Sequence, residues 1–170
     1  RISLLESNIP VKLKATAIKK INLLRMMDPN SGEYYKIKNW VDHFMKIPFG
    51  KYNDLPININ DGVEKCHDFM ENAKKTLDEA VYGLNDAKLQ IMQMLGQLIT
   101  NPKAIGSAIA IHGPPGTGKT SLVKEGISKI LNRPFAFIAL GGASDSSFLE
   151  GFGYTYEGST YGKIVQTLIH

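Results

Sequence analysis

The stretch that decides the fold is a loop of eight residues, Gly113-Pro114-Pro115-Gly116-Thr117-Gly118-Lys119-Thr120. It satisfies the pattern G-x-x-x-x-G-K-[ST], in which each fixed position has a chemical reason. The glycines let the backbone curl so that its N–H groups surround a phosphate, aided by the positive end of the helix that follows. The pattern predicts that all eight residues bind a nucleotide, with Lys119 reaching the β- and γ-phosphates and the Thr120 hydroxyl holding Mg²⁺.

The segments on either side of this loop predict its structural setting. Residues 107–112 are nearly all apolar, which is typical of a strand buried on both faces of a parallel sheet. Apolar residues recur at helical spacing over 121–131, and a second apolar strand is predicted at 135–140. This order predicts an α/β fold, in which a helical N-terminal segment (1–75) precedes the first half of a P-loop α/β domain (76–170) with an incomplete parallel sheet.

The first half of the chain predicts helices that carry no obvious chemistry. Apolar residues recur at helical spacing over about 9–26, and Ser31 is placed to cap a second helix. Residues 51–62 predict a loop because they are rich in Asn, Asp and Pro. Two further helices are expected at about 63–77 and 85–99.

The amino-acid composition limits the class of protein and the cellular compartment. Hydrophobic residues at 43% and charged residues at 21% are ordinary for a globular protein, and no apolar run, including those at 108–111 and 135–140, is long enough for a membrane span. The single cysteine, Cys66, forms no internal disulfide and fits a reducing compartment, the cytoplasm, with the mitochondrial matrix left open. The net charge of +4 comes from lysines spread through a helical pattern, which favours a solvated face and leaves nucleic acid undecided as a partner.

Further stretches carry a resemblance to a known family. They are MDPNSGE at 27–33 with IPF at 47–49, LDEAVYGL at 77–84, LGG at 140–142 and the glycine-bounded segment at 151–162. GPPGTGKT is typical of AAA+ ATPases, and the stretches around it resemble, in order along nearly the whole chain, the Lon proteases. The chain departs from that family at Phe49 and Val81, where Trp and His are usual, and at Thr160-Tyr161, which replaces Met-Pro.

The resemblance implies roles for two small groups of residues. In the family the Tyr-Gly-Leu turn lies against the adenine, which assigns Tyr82, Gly83 and Leu84 to nucleotide binding. The alternative is a helix-entry turn whose tyrosine is simply packed. Tyr156 falls on the aromatic residue that grips substrate polypeptide in a central pore, and Glu157 follows it where the family has an apolar residue. The alternative there is an exposed loop without a role.

The resemblance also implies an enzyme in the full-length protein: an ATP-dependent serine protease that uses ATP and Mg²⁺, assembles as a homo-hexamer and degrades unfolded or damaged proteins. No acidic pair ends an apolar run after Thr120, and the sensor, arginine finger and protease dyad are not found either. No catalytic residue is therefore assigned, and the 170-residue chain alone is expected to be inactive. Two alternatives stay open, an AAA+ unfoldase without protease activity and a helical adaptor that only binds nucleotide.

Overall fold

A computed structural model describes residues 2–103, 106–153 and 160–170. The chain divides into two compact units. The terminal unit consists of Arg1–Tyr52 together with Phe137–His170, and the central unit consists of Asn53–Ala136. Within the described ranges, no helix has both the length and the apolar character that crossing a membrane requires.

Helices account for nearly all of the regular structure. In chain order they are α1 (Ile2–Glu6), α2 (Val11–Met26), α3 (Gly32–Lys46), α4 (Val63–Ala80), α5 (Asn85–Thr100), α6 (Lys119–Ser121), α7 (Ser128–Leu131), α8 (Ser147–Glu150) and α9 (Lys163–Ile169). A 3₁₀ turn at Ile59–Asp61 precedes α4, and a π-helical segment at Leu122–Ile127 joins α6 to α7. The helices predicted at about 9–26, 63–77 and 85–99 are confirmed as α2, α4 and α5.

The fold is helical, and the predicted α/β class with an incomplete parallel sheet is wrong. The structure is about 60% helix and only 1% strand. Among the described residues, the one β feature is an isolated antiparallel bridge between Gly151 and Tyr161. The strands predicted at 107–112 and 135–140 form neither helix nor strand.

The reason for this difference lies in what a strand requires. An apolar run becomes a strand only when a neighbouring strand takes up its N–H and C=O groups, and no ladder joins either run to another described segment. Side chains that were expected to be buried are also open to solvent, with Ile109 40%, Phe137 65% and Leu140 60% exposed. Hydrophobicity identified the apolar segments but carried no information about a partner for them.

The terminal unit contains a small aromatic core. Ser31 caps α3 as predicted, because the Tyr34 N–H donates a hydrogen bond to Ser31 Oγ at 3.2 Å. About three turns after Tyr34, Phe44 is buried and its ring stacks on that of Trp40, with 4.9 Å between the centroids. The other buried members of this core come from α1, the following loop and α2, and they are Leu4, Ile9 and Ala17. The core therefore joins the first three helices.

The core of the central unit joins α4, α5 and the π-helical segment. Leu77 of α4, Ile91 and Leu95 of α5, and Leu122 of the π-helical segment are all fully buried. The buried apolar residues of α5 are spaced four apart and continue to Ile99, so they form one stripe along the helix. This stripe packs α5 against α4, and α4 in turn contacts the π-helical segment.

The closest approach between these helices occurs at Gly126. A Cβ atom added to Gly126 would lie 2.9 Å from Leu77 Cδ2 and 3.8 Å from Ala80 Cβ. Because glycine has no side chain, the π-helical segment lies directly on the last turns of α4. The contact fixes where the helix after the loop begins.

Replacing Gly126 should therefore strain this contact. Gly126→Leu is expected to lower the free energy of unfolding by about 1–3 kcal/mol, the usual cost of overpacking a core. Gly96→Leu in α5 is the matched control, since nothing lies within 4 Å of a Cβ added there and replacing a helical glycine stabilises by roughly 0.5–1 kcal/mol. Urea unfolding followed by circular dichroism measures both variants. Equal stability of the two would contradict the contact.

Candidate nucleotide-binding site

The eight-residue loop at 113–120 runs directly into a helix, since its last two residues are the first two of α6. Gly116 and Gly118 have φ angles of 75° and 86°, in the left-handed region that glycine enters without strain. The Thr117 hydroxyl donates to the Pro114 carbonyl at 3.0 Å and closes the loop from inside. Gly118 thus has a backbone reason to stand where the pattern requires glycine, and Gly116 has the same reason at a position that the pattern leaves open.

The charge of the loop is carried by Lys119. Its Nζ donates to the Gly113 carbonyl at 2.9 Å, to the Pro114 carbonyl, and to Thr117 Oγ1 at 3.3 Å. All three acceptors are neutral, and none of the ion pairs found among the described residues involves this lysine. The ammonium group is therefore held inside the loop by neutral oxygens, where an anion would be a stronger partner.

A cleft of about 550 Å³ lies beside the loop. Its walls come from the loop, from the segment that precedes it and from the start of α5, and they include Leu84, Ala87, Ile111, His112, Gly113 and Lys119. The cleft therefore combines a cationic end at Lys119 with a wall that is apolar at Leu84, Ala87 and Ile111 and polar at Asn85 and Asp86. A phosphorylated ligand with a flat apolar group matches such a division.

The turn predicted to contact the base lies at this cleft. Gly83 and Leu84 both have left-handed backbones, with φ angles of 71° and 54°, and Leu84 lines the cleft. The Tyr82 side chain, in contrast, is fully exposed at 101%. The alternative of a simply packed tyrosine is therefore wrong in this structure, and the backbone of the turn rather than its aromatic ring adjoins the loop.

The predicted magnesium ligand, Thr120, lies in the first turn of α6 and is exposed. Thr120 is not among the residues that line the cleft, and its role as a magnesium ligand stays a prediction. In the described part of the chain, no cluster of three or more His, Cys, Asp or Glu side chains is arranged to hold a metal ion. The half-buried thiol of Cys66 donates to the Asn58 carbonyl at 3.5 Å.

Beyond the loop, the surface of the helix carries an ion pair. Lys129 Nζ lies 2.7 Å from Glu125 Oε2, one turn apart. This hydrogen bond and the positive charge of Lys129 lower the pKa of Glu125 below its ordinary value. Both groups are solvated, so the pair contributes little to stability.

Sequence reasoning missed two residues that shape the site. Lys88 is only 8% exposed, and its Nζ donates to Asp78 Oδ1 at 3.0 Å and to the Val81 carbonyl at 2.6 Å. The Val81 side chain lies so close to Gly118 that a Cβ added to this glycine would be 2.9 Å from Val81 Cγ1. A signal for Lys88 existed, since a lysine three residues before Ile91 falls on the apolar stripe of α5.

The predicted pore residues, Tyr156 and Glu157, lie outside the described residues. The described residues on either side of them form a clasp, which is one short antiparallel backbone contact. Gly151 and Tyr161 form an antiparallel bridge, and the Phe152 N–H donates to the Thr160 carbonyl at 3.1 Å.

Glycines make the clasp possible. A Cβ on Gly151 would lie 2.6 Å from the Thr160 carbonyl oxygen, and one on Gly162 would overlap the Leu149 carbonyl and the Gly151 nitrogen. Close approach of two backbones, rather than freedom to move, is what these two glycines provide.

Comparison with protein families identifies the class to which this loop belongs. Residues 109–169 match the model of the ATPase family associated with various cellular activities (AAA). The match contains the whole loop at 113–120, whereas the turn at Tyr82, Gly83 and Leu84 lies before it. The chain is thus an AAA-class sequence, and a nucleotide-binding role for the loop accords with that class.

Individual relatives narrow the class further. The chain is 36% identical over 166 residues to a Lon protease homolog of Acanthamoeba polyphaga mimivirus. The aligned region covers 95% of the chain and 16% of that protein. It is 34% identical over 163 residues to the Lon protease of Clostridium beijerinckii, an alignment that covers 96% of the chain and 19% of that protein. It is 36% identical over 161 residues to the Lon protease of Wolbachia pipientis, where the alignment covers 95% of the chain and 18% of that protein. The chain is a Lon-type AAA+ sequence, as its motifs predicted, and it spans less than a fifth of the length of these three relatives.

The clasp gives a prediction that can be tested at one amide. Gly162→Ala should open it, because the new methyl group would overlap the Leu149 carbonyl, and exchange of the Phe152 amide hydrogen should accelerate by about tenfold or more. Gly141→Ala is the control, since nothing lies within 4 Å of a Cβ at that position. Hydrogen exchange followed by NMR measures the rate. Unchanged protection in the Gly162 variant would mean that the clasp does not depend on glycine.

Proposed function

We propose that the chain is the ATP-binding part of a Lon-like ATP-dependent serine protease, which unfolds and degrades proteins. The observation that carries the proposal is the loop at 113–120, which leads into a helix with Lys119 at its first position, inside the region that the AAA family matches. The relatives that cover nearly the whole chain are Lon proteases. This favours a protease over an AAA+ unfoldase without one, and over a helical adaptor that only binds nucleotide.

The loop provides the phosphate contacts in this proposal. Backbone N–H groups around Gly116 and Gly118 surround the β-phosphate, and Lys119 exchanges its neutral acceptors for oxygens of the β- and γ-phosphates. That exchange is favourable because hydrogen bonds to a charged acceptor are stronger than those to a carbonyl. Thr120 would hold Mg²⁺, and the ion would neutralise part of the phosphate charge.

The turn at Tyr82, Gly83 and Leu84 provides the contact with the base. Leu84 already forms part of the apolar wall of the cleft, and the exposed ring of Tyr82 has no packing to give up when it turns towards a flat ligand. The base would then be held by apolar contact and stacking, while the phosphates are held by charge.

The remaining roles belong to the whole protein. We infer that it assembles as a homo-hexamer and acts on unfolded or damaged proteins, with the free Cys66 favouring the reducing cytoplasm. Tyr156 and Glu157 are proposed to line a central pore, on the resemblance alone. The division into a helical segment at 1–75 and an ATPase part at 76–170 is proposed as well, with the boundary inside α4.

The phosphate site is tested at its lysine. Lys119→Ala should reduce ATP affinity by on the order of a hundredfold or more, because it removes a charge-assisted hydrogen bond to the phosphates. Lys124→Ala, which removes an exposed lysine from the same helix, should leave the affinity unchanged. Titration calorimetry of the protein that contains this chain measures both. A wild-type affinity for ATP in the Lys119 variant would contradict the assignment of the loop as the phosphate-binding site.

The pore role is tested at Tyr156. Tyr156→Ala should leave ATP binding intact, but it should largely abolish degradation of a folded substrate, because a large ring is needed to push an unfolding chain. Cleavage of a short unstructured peptide, which reaches the protease by diffusion, should be spared. Tyr52→Ala removes another tyrosine, 86% exposed, and serves as the control. If the Tyr156 variant degrades the folded substrate at the wild-type rate per ATP consumed, the pore role is wrong.

A further inference from the structure

Lys88 is buried although it carries a charge. It is 8% exposed, and among the described residues it is the one polar or charged residue that counts as buried. It lies in the first turn of α5, on the stripe that continues with Ile91 and Leu95. Burying an ammonium group is unfavourable unless it is paired and hydrogen-bonded, so the contacts of this lysine require a reason.

Those contacts close both ends of one turn. The Lys88 ammonium donates to the carbonyl of Val81 at 2.6 Å, at the start of the turn. The Lys88 backbone N–H donates to the carbonyl of Leu84 at 2.9 Å, at its end. A third bond, from the ammonium to Asp78 Oδ1 at 3.0 Å, ties the turn to the last helical turn of α4.

The turn needs such a restraint. Leu84 has a left-handed backbone, with a φ angle of 54°, and residues other than glycine adopt that conformation only when their surroundings impose it. The Tyr82 side chain is fully exposed and therefore contributes no packing. Val81 and Leu84 pack against the core of the central unit, and the Lys88 ammonium adds a hydrogen bond at the carbonyl with which this strained segment begins.

The restrained turn is also in contact with the phosphate loop. Val81, whose carbonyl receives the Lys88 ammonium, places its side chain against Gly118, where an added Cβ would come within 2.9 Å of Val81 Cγ1. Leu84, at the other end, lines the cleft beside Lys119. Both ends of the turn that Lys88 holds thus adjoin the loop.

We propose that Lys88 is a positioning residue that holds the turn at 81–84 in place as the base side of the nucleotide cleft. This inference rests on the proposed nucleotide-binding function and adds a residue to it. The opposing explanation is an ion pair with Asp78 that only stabilises the packing of α4 on α5. The two explanations differ in the affinity that they predict for a ligand with phosphates but no base when Lys88 is replaced. A positioning role leaves this affinity unchanged, whereas a general loss of packing lowers it as much as the affinity for ATP.

The experiment compares ATP with inorganic tripolyphosphate, which offers the phosphate contacts and no base. Lys88→Met keeps the length of the side chain and the backbone hydrogen bond to Leu84, and it removes the charge and the ammonium's hydrogen bonds to Asp78 and Val81. We expect the affinity for ATP to fall by about tenfold or more, in line with the loss of hydrogen bonds from a charged donor, and the affinity for tripolyphosphate to change less than about twofold. Both affinities are read by displacement of a fluorescent ATP analogue from the protein that contains this chain.

Two matched variants separate the outcomes. Lys75→Met removes an exposed lysine from α4 and should change neither affinity. Lys119→Ala should weaken the binding of both ligands. If it weakens the binding of neither, or if tripolyphosphate does not displace the ATP analogue from the wild-type protein, the assignment of the phosphate site is wrong. If the phosphate site is intact, an equal loss of affinity for both ligands in Lys88→Met overturns the positioning role. An unchanged affinity for ATP in that variant overturns it as well.

A second variant keeps the inference testable if Lys88→Met does not fold. Asp78→Asn retains an acceptor for Lys88 but removes the negative charge, and because the Asp78 side chain is 54% exposed the new amide meets no packing constraint. Circular dichroism of this variant checks that it folds. ATP affinity should fall by a smaller factor than in Lys88→Met, and tripolyphosphate affinity should again stay constant. An identical change for both ligands, or none for either, would contradict the proposal.

Discussion

The contact between Leu77 and Gly126 is the constraint from which the site follows. It brings the π-helical segment onto the last turns of α4, with no side chain on Gly126 to separate them. Gly118 lies two turns before Gly126, and Val81 lies one turn after Leu77, so the same contact brings these two residues together. The phosphate loop and the turn beside it are therefore positioned by one helix end rather than by two independent supports.

The site combines a fixed backbone with side chains that have yet to meet a ligand. Its glycines and Leu84 hold left-handed conformations, and the hydrogen bonds of Lys88 fix the turn. Lys119, in contrast, donates its hydrogen bonds to neutral oxygens of its own loop, and the ring of Tyr82 is exposed to solvent. Ligand binding in this arrangement requires side-chain rotations and little movement of the main chain, which keeps its entropic cost low.

The sequence predicted the parts of this structure that depend on local chemistry. The periodic helices, the Ser31 cap and the glycines of the loop follow from residue type and spacing alone. The strands at 107–112 and 135–140 failed because strand formation depends on a partner that no local pattern specifies. Lys88 was overlooked for a similar reason, since its acceptors on Asp78 and Val81 become neighbours only after α4 and α5 pack.

The clasp at Phe152 and Thr160 has a mechanical consequence. A load on either backbone at right angles to its direction acts along the Phe152 hydrogen bond, which is itself part of the bridge between Gly151 and Tyr161. Peeling of this kind resists much less force than sliding two strands past each other, where all bonds share the load. The clasp is therefore weak against a perpendicular pull, whereas α8 and α9 are held by their own internal hydrogen bonds.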